Sequence, residues 1–456
     1  MAYDVVVLGG GTGGYSTALR AAQLGLHVAL VERDDRLGGT CLLRGCIPTK
    51  ALLRSAEVLD TVERSAEWGI QASGAPDREA ILAFKAVIVE RLVTGLTHLV
   101  KSRKIDVFHS PGRLIPGPAI DLGDRVLEAT DVVLASGSRP KMLPGIQPSG
   151  RIFTSNQALT LPALPSTVVV IGAGAIGLEF ASFYRSMGAE VTVLEALPRI
   201  APLEDEEISR TLARSLKKRG VATHAGASVV STVETEEQVE VTFETSKGRQ
   251  SVAAQLCLIA VGRGPVSDGM GYEECGVEMD RGFVKVDGSL RTSVKNVWAV
   301  GDVASTPLQF AHVAFAEGVS VAERIAGMEV PEIDYTGVAK VTFCSPEVAS
   351  VGLTERQARD EGFDVAVAKY QFQGLGKAQI VGEGGLAKFV AEASTGRILG
   401  VHLIGPHATD LISEAMLMTN WEAVAGDVAR YIHPHPTLSE ALGEAALALV
   451  GKPLHG

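Results

Sequence analysis

The sequence predicts an α/β fold built on two doubly wound, dinucleotide-binding units. Three observations carry that prediction: an internal repeat, the acid that closes each copy, and the apolar strands with small-residue ends that follow. Val5-Val6-Val7-Leu8-Gly9-Gly10-Gly11-Thr12-Gly13-Gly14 matches Val168-Val169-Val170-Ile171-Gly172-Ala173-Gly174-Ala175-Ile176-Gly177 at one fixed offset. The offset persists, so that Gly25 falls on Gly188 and Glu32 on Glu195, each acid ending a second apolar run. Both copies read as strand, glycine turn, helix, glycine, strand, acid, which is the βαβ unit of a doubly wound sheet.

Each conserved position of the repeat has a physical task. Gly9 and Gly172 allow the tight turn, Gly11 and Gly174 let the backbone approach a pyrophosphate, and Gly14 and Gly177 permit close packing of helix on strand. One such fingerprint is weak evidence; two complete copies with matching acids are strong. The terminal carboxylates accept from a ribose 2'-hydroxyl and repel a 2'-phosphate, so Glu195 favours NAD over NADP. Arg199, behind Pro198, is the nearest downstream cation and reads as a solvated surface charge, not a phosphate clamp.

The segments that follow each copy also match in design. Asp131-Val132-Val133-Leu134-Ala135-Ser136-Gly137-Ser138-Arg139-Pro140 is an apolar strand ending in small residues, and Leu256-Cys257-Leu258-Ile259-Ala260-Val261-Gly262-Arg263-Gly264-Pro265 repeats the pattern. Each is expected to close a sheet. Asn296-Val297-Trp298-Ala299-Val300-Gly301-Asp302 is another buried strand, delivering a carboxylate at its carboxyl end, where open α/β sheets bind ligands. Proline and glycine mark linkers at 140–150 and 264–271. From about Gly337 onward there is no fingerprint, and a separate domain is expected.

Composition narrows the chemistry. A chain of 456 residues has length for two or three cores and needs no covalent staple. Five cysteines are too few for a secreted disulfide scaffold, and Cys257, Cys275 and Cys344 are scattered; they read as buried small apolar residues. No apolar stretch approaches the roughly 18 residues that span a bilayer, and the first ten residues carry no Lys or Arg, so a soluble, cytoplasmic protein is expected with no membrane partner. With 42 basic and 53 acidic residues the net charge is -11, which disfavours nucleic acid as a partner.

The other two cysteines are placed differently. Cys41 and Cys46 lie in Gly38-Gly39-Thr40-Cys41-Leu42-Leu43-Arg44-Gly45-Cys46-Ile47-Pro48-Thr49-Lys50, just after the first fingerprint. Thiols at that spacing do not meet on a regular helix, because a disulfide tolerates a Cα separation of only about 4.4 to 6.8 Å. A distorted turn is required, and Gly45 and Pro48 are suited to make it. Strained or exposed pairs serve as redox couples, so these cysteines are candidates for chemistry.

In order along nearly the whole chain, the cysteine segment, the two fingerprints, Ala135-Ser136-Gly137, Val261-Gly262-Arg263, Gly301-Asp302 and His435-Pro436-Thr437-Leu438-Ser439-Glu440 resemble the class I pyridine nucleotide-disulfide oxidoreductases. The resemblance is greatest to members that oxidise dihydrolipoamide. It implies two Rossmann-like domains, one binding FAD (1–146 and 268–336) and one binding NAD (147–267), followed by an α+β dimerisation domain (337–456) that makes a homodimer. It further implies that the first fingerprint and Glu32 hold the adenosine half of FAD, that Thr40, Gly112, Ser136, Gly137 and Ser138 border the flavin cofactor, that Asp302 binds its ribityl chain, and that Ala311 and His312 lie near the flavin. The second fingerprint, with Ala175 and Ile176, Glu195 and Gly262, falls to NAD.

The resemblance also assigns the catalytic residues. Cys41 is implied to be the thiol that exchanges with substrate and Cys46 the thiol that contacts the flavin. Lys50 and Glu179 resemble the ion pair beside the reactive flavin nitrogen; taken alone they would read as a helix-surface lysine and a core-edge acid. His435 is implied to be the base, since an imidazole with a pKa of about 6.5 suits deprotonation of thiols near 8.5. Glu440 would orient it, and the pair would be supplied by the partner subunit. His433 is expected to serve the turn, and no metal site is expected, because no ligand set with zinc spacing accompanies the histidines.

The implied reaction is oxidation of dihydrolipoamide carried on the lipoyl domains of 2-oxoacid dehydrogenase complexes, with NADH as product. Three residues depart from the family pattern: Arg44 puts a cation beside the cysteines, where it either lowers a thiol pKa or faces outward, while Pro434 and Val266 replace commoner residues. Among alternatives, a glutathione reductase would show cations in place of Glu195. A mercuric reductase would carry a further C-terminal cysteine pair, whereas the last cysteine here is Cys344. A non-catalytic flavoprotein scaffold or NADH sensor would have lost a reactive residue.

Overall fold

A computed structural model describes residues 3–455. Its first sheet has seven strands. Asp106–His109, Val28–Glu32, Tyr3–Leu8 and Val126–Leu134 run parallel in that order, and Ala119–Asp121 and Arg113–Ile115 extend the edge antiparallel. Val297–Ala299 also pairs in parallel with Val126–Leu134, so the sheet recruits a strand from far beyond the second repeat. The continuous apolar runs explain the choice: Val5, Val6, Val7 and Leu8 are all buried, as strands covered on both faces must be. The helices Thr12–Gln23 and Ala311–Ile325 pack on each other through glycine, since a Cβ at Gly318 would lie 2.3 Å from Ser16 Oγ.

The second sheet repeats the design. Val221–Ala225, Glu190–Glu195, Thr167–Ile171, Leu256–Ile259 and Ile152–Thr154 are all parallel. A three-stranded antiparallel layer, Ser228–Glu234, Val239–Thr245 and Gly248–Ala254, packs beside it. The expectation that Val126–Leu134 and Leu256–Ile259 close their sheets is corrected: each lies inside its sheet, because further short strands pair beyond it. The two linkers are corrected as well. Their first residues belong to an antiparallel ribbon, Ser138–Pro140 with Arg263–Pro265, which stitches the two units together where the chain crosses between them.

The third sheet is antiparallel, in the order Lys340–Thr342, Val348–Gly352, Ile398–Ile404, Leu386–Glu392, Val365–Gln371. One face, with Val351, Phe389, Val401 and Leu403, packs on the helices Ala408–Asn420 and Glu440–Val450. Truncating a fully buried residue such as Phe389 to Ala would cost about 3–5 kcal/mol. Among the described residues no helix is long and apolar enough to cross a membrane.

Candidate active site

The cysteine segment forms two helices broken at one residue. Gly39–Arg44 carries Cys41, Cys46–Arg64 begins with Cys46, and Gly45 between them has φ -148° and ψ -114°. A Cβ at Gly45 would sit 2.8 Å from the Thr40 carbonyl oxygen, so the close turn requires glycine. Pro48 does not bend the turn as expected; it lies in the first turn of the second helix, where its missing N–H is not needed. Cys41 and Cys46 are free thiols in contact, with Cys41 donating to the Cys46 sulfur. That hydrogen bond, aided by Lys50 and opposed by burial and Glu179, lowers the Cys46 thiol to about 7. The same bond, with burial and the neighbouring charge, raises Cys41. The two thiols are therefore unequal, with Cys46 the more acidic.

Lys50 stands one helical turn after Cys46, and its Nζ reaches both Glu179 oxygens at 2.7 and 2.8 Å. Glu179 lies on the second fingerprint helix, Ala175–Ser186, and its side chain is 5% exposed. The Phe343 N–H donates to it at 3.1 Å, and the Phe343 ring centroid lies 4.6 Å from Lys50 Nζ. This pair thus joins the cysteine helix, the second fingerprint and the third sheet at one point. It is a formed ion pair, not the surface lysine and core-edge acid that position alone allowed.

Both fingerprints have the shape a dinucleotide requires. Cβ atoms at Gly9 and Gly172 would fall 2.2 and 2.4 Å from the Ala135 and Ala260 carbonyl oxygens, and those at Gly14 and Gly177 would fall 1.7 and 1.9 Å from the Gly9 and Gly172 carbonyls. These glycines serve the fold. A Cβ at Gly174 would meet nothing within 4 Å, and one at Gly11 only the Gly39 Cα at 3.7 Å. Each of these two residues begins a helix without a side-chain cap, which leaves first-turn N–H groups free for a pyrophosphate. Ala175 and Ile176 form the first turn of the second helix. Glu32 accepts from Gly10 N at 2.7 Å and Asp34 N at 3.0 Å; Glu195 accepts from Ala173 N at 2.7 Å and Leu197 N at 2.8 Å. Both carboxylates are thereby fixed at the strand ends.

Of the remaining residues expected around the flavin cofactor, Thr40, Ser136, Gly137, Ser138 and Asp302 meet at the crossing ribbon, while Gly112, Ala311 and His312 lie apart from it. Ser138 donates to Asp302, and Ser136 donates to the Val266 carbonyl at 2.6 Å while accepting from Tyr272. Gly137 and Gly262 both have positive φ and open space where a Cβ would be. Gly112 abuts Leu8 and Val31 at the strand ends. Ala311 opens its helix, and His312 is tied to the Ala339 carbonyl at 3.0 Å. One residue was missed: Arg263, 13% exposed, donates to Ser138 Oγ and its carbonyl at 2.7 Å each and to Thr40 Oγ1 at 3.3 Å, and lies 3.8 Å from Asp302. Its signal was available, since it ends the Val261-Gly262-Arg263 motif.

The two histidines His433 and His435 differ sharply. His435 Nδ1 is 2.8 Å from Glu440 Oε1, and its side chain is 73% exposed. Glu440 also accepts from Thr437 N at 2.8 Å; burial raises its carboxyl, but the His435 and Thr437 hydrogen bonds outweigh it and the net is a lowered value. His433, 11% exposed, pairs with Glu414 at 2.8 Å and presses on Gly443, in keeping with its expected structural part. Among the described residues no hydrogen bond links His435 to Cys41 or Cys46 of its own chain.

Three expectations are corrected. Arg44 forms an ion pair with Asp34 instead of acting on a thiol or facing outward. Arg199 is half-buried, donating to the Pro202 carbonyl at 3.1 Å, because its own loop has carbonyls to satisfy. Cys275 is only partly buried, since the short helical turn Glu273–Cys275 lies at the surface; Cys257 and Cys344 are buried.

The sequence matches the pyridine nucleotide-disulphide oxidoreductase family over residues 3–318 and that family's dimerisation domain over 338–446. The dihydrolipoyl dehydrogenase of Bacillus subtilis is 43% identical over 99% of both chains, and that of Rhizobium etli is 41% identical over 99% of both. The crystal structure of LpdA from Mycobacterium tuberculosis superposes with a TM-score of 0.90 at 28% identity, covering 98% of this chain and 99% of that one. Two glycine-lined dinucleotide seats, a pair of neighbouring thiols and a dimerisation domain agree with these likenesses, and the chain belongs to the pyridine nucleotide-disulphide oxidoreductase family.

Proposed function

We propose that the protein oxidises dihydrolipoamide to lipoamide and reduces NAD to NADH. The observation that carries this reading is the Lys50 ion pair: one lysine both lowers the Cys46 thiol and grips the second fingerprint helix, so the thiols and the nucleotide seat share one fixed charge. FAD, when bound, supplies the two-electron relay between the thiol pair and NAD. The seats at Gly9, Gly11, Gly14, Glu32 and Asp302, and at Gly172, Gly174, Gly177 and Glu195, would hold the two cofactors.

The chain's own residues perform the thiol exchange. With Cys41 and Cys46 joined as a disulfide, a substrate thiol gives its proton to Nε2 of His435 of the partner subunit, whose Nδ1–H is held by Glu440. The thiolate attacks Cys41 Sγ; the Cys41–Cys46 bond breaks, and Cys46 leaves as a thiolate. The second substrate thiol then attacks the substrate sulfur of the mixed disulfide and gives up its proton to the departing Cys41 Sγ; the bond from Cys41 to the substrate breaks, lipoamide departs, and both electrons remain on the cysteines as one thiol and one thiolate. Cys46 is suited to leave because its thiol is the acidic one of the pair.

This reading includes a homodimer formed through the dimerisation domain, lipoyl domains of 2-oxoacid dehydrogenase complexes as partners, a cytoplasmic location, and the division into segments 1–146 with 268–336, 147–267 and 337–456. A steady-state assay with dihydrolipoamide tests it. Turnover with NAD and far less with NADP is expected; equal efficiency would overturn the part given to Glu195, and preference for glutathione disulfide with NADPH would overturn the whole.

A further inference from the structure

One buried charge cluster has no part in the chemistry above. Across the third sheet, Lys340 faces Ser350, Ser350 faces His402, His402 faces Lys388, and Lys388 faces Lys369, a single transverse row of polar residues over five strands. Side chains opposite one another in a sheet share a face, and this row lies on the face away from the two covering helices. Ser350 and His402 are fully buried and Lys388 is 3% exposed. Burial of a lysine on a sheet is costly unless the charge is paired.

Its partners Asp205 and Glu207 come from the second unit, and Glu355 from the row's own domain. Lys388 Nζ lies 2.8 and 2.9 Å from the two Asp205 oxygens and 2.8 Å from Glu355, and Lys369 pairs with Glu207. Asp205 also caps the helix Glu206–Lys218 by accepting from Glu207 N, and it accepts from Glu355 N at 3.3 Å. Beside them, Glu204 Oε2, Ser350 Oγ and His402 Nδ1 are buried without partners. The acidic run Glu204-Asp205-Glu206-Glu207 is thus docked on the basic row through Asp205 and Glu207.

That run ends a segment tied at its other end to the nucleotide seat. Leu197 N donates to Glu195, and Ala201 N donates at 2.9 Å to the carbonyl of Ala173, the residue whose own N–H holds Glu195. Glu204 N and Ser209 Oγ then bond the Ala201 carbonyl at 3.0 Å each. Continuous hydrogen bonds therefore run from the second fingerprint through Ala201 to Asp205 and Lys388. Ile200 and Ala201 pack into the core, but Leu203, between them and Asp205, is solvent-exposed, so that last stretch is held by its hydrogen bonds and by Asp205.

We infer that Lys388 is a positioning residue for the pyridine nucleotide: by gripping Asp205 it fixes the segment 196–205 behind Glu195, and so makes NAD affinity depend on the third sheet. This rests on the assignment of the second fingerprint to NAD. The test is the double variant Lys388→Met with Asp205→Asn, which removes both charges together and leaves neither buried alone, while Asn keeps the helix cap. In the flavin-loaded dimer, calorimetric titration should show NAD binding weakened about tenfold, within the usual span of coupling between sites. Flavin reduction by dihydrolipoamide should stay within about twofold of the parent, a split that general destabilisation would not give.

Unchanged NAD affinity in the folded variant would overturn the inference. Should the double variant fail to retain flavin, Asp205→Asn alone weakens the grip of Lys388 while leaving the lysine paired with Glu355, and hydrogen exchange at the amides of Ala201 and Glu204 decides. Faster exchange supports the coupling, and parent-like exchange overturns it. A parent protein that binds no NAD would instead sink the functional reading itself, so the two failures are distinguishable.

Discussion

The two fingerprint units are copies that diverge at a definite residue. Gly10 O accepts from Gly38 N at 2.9 Å in the first, and Ala173 O accepts from Ala201 N at 2.9 Å in the second; the same offset relates all four residues, and both Gly38 and Ala201 have positive φ. Up to that bond the units are equivalent. Beyond it, the first chain turns at once over its own glycine turn, where Gly39 lies so near Gly11 that a Cβ would approach its Cα to 2.5 Å, and enters the cysteine helices. The second runs away to the acidic segment and leaves Gly174 uncovered. One unit is roofed and carries the chemistry, while the other is open and is braced from a distance. A roofed seat suits a resident cofactor and an open seat suits one that exchanges on each turnover.

The largest expected effect removes what the first unit's continuation adds. Cys46→Ser should lower dihydrolipoamide oxidation by at least about 10³-fold, since thiol exchange then lacks its leaving group. Flavin absorbance should be retained, and near-parent turnover would show that the continuation does not carry the chemistry.

Next, the roof itself can be tested. Gly39→Ala combines a positive φ of 55° with a close approach to Gly11, and should cost about 1–3 kcal/mol together with loss of flavin, read by thermal unfolding and flavin content. Gly174→Ala has open space and a φ of -77°, so it should leave the melting temperature nearly unchanged and weaken NAD binding alone. Equal behaviour of the two variants would erase the distinction between the seats.

The smallest effect concerns the charge the two units share. Because Cys46 is lowered to about 7, ultraviolet thiolate absorbance of the reduced protein should rise as pH passes upward through that value. The thiolate's contribution to stability has the same sign: it is complete above the ordinary thiol range and is lost as pH falls through about 7. In Lys50→Met the midpoint should move upward, because the lysine favours the thiolate. A midpoint unaltered by that change would mean the Cys41 hydrogen bond acts alone.

Much of this was legible in one dimension. The parallel strands followed from continuous apolar runs, and the seats followed from glycines whose spacing reflects local backbone sterics, as the 2.2 and 2.4 Å Cβ clashes at Gly9 and Gly172 bear out. The break between Cys41 and Cys46 was legible because a helix cannot bring that spacing together. Pro48 was misread because proline in the first turn of a helix looks, in sequence, like proline that breaks one. Arg44 and Arg199 were misread because a surface position does not reveal whether a carboxylate or an unsatisfied carbonyl lies within reach.

Local rules therefore determined the repeat, its turns, its acids and the candidate thiols, since each depends on residues near one another along the chain. The pairing of Lys50 with Glu179 was legible only through the family resemblance, and the folded arrangement alone decided the others: Arg263 with Thr40 and Asp302, Lys388 with Asp205. Charges interact through space, and two residues far apart in sequence acquire a common field only after packing has brought them within a few ångströms of each other and excluded the water that would screen them.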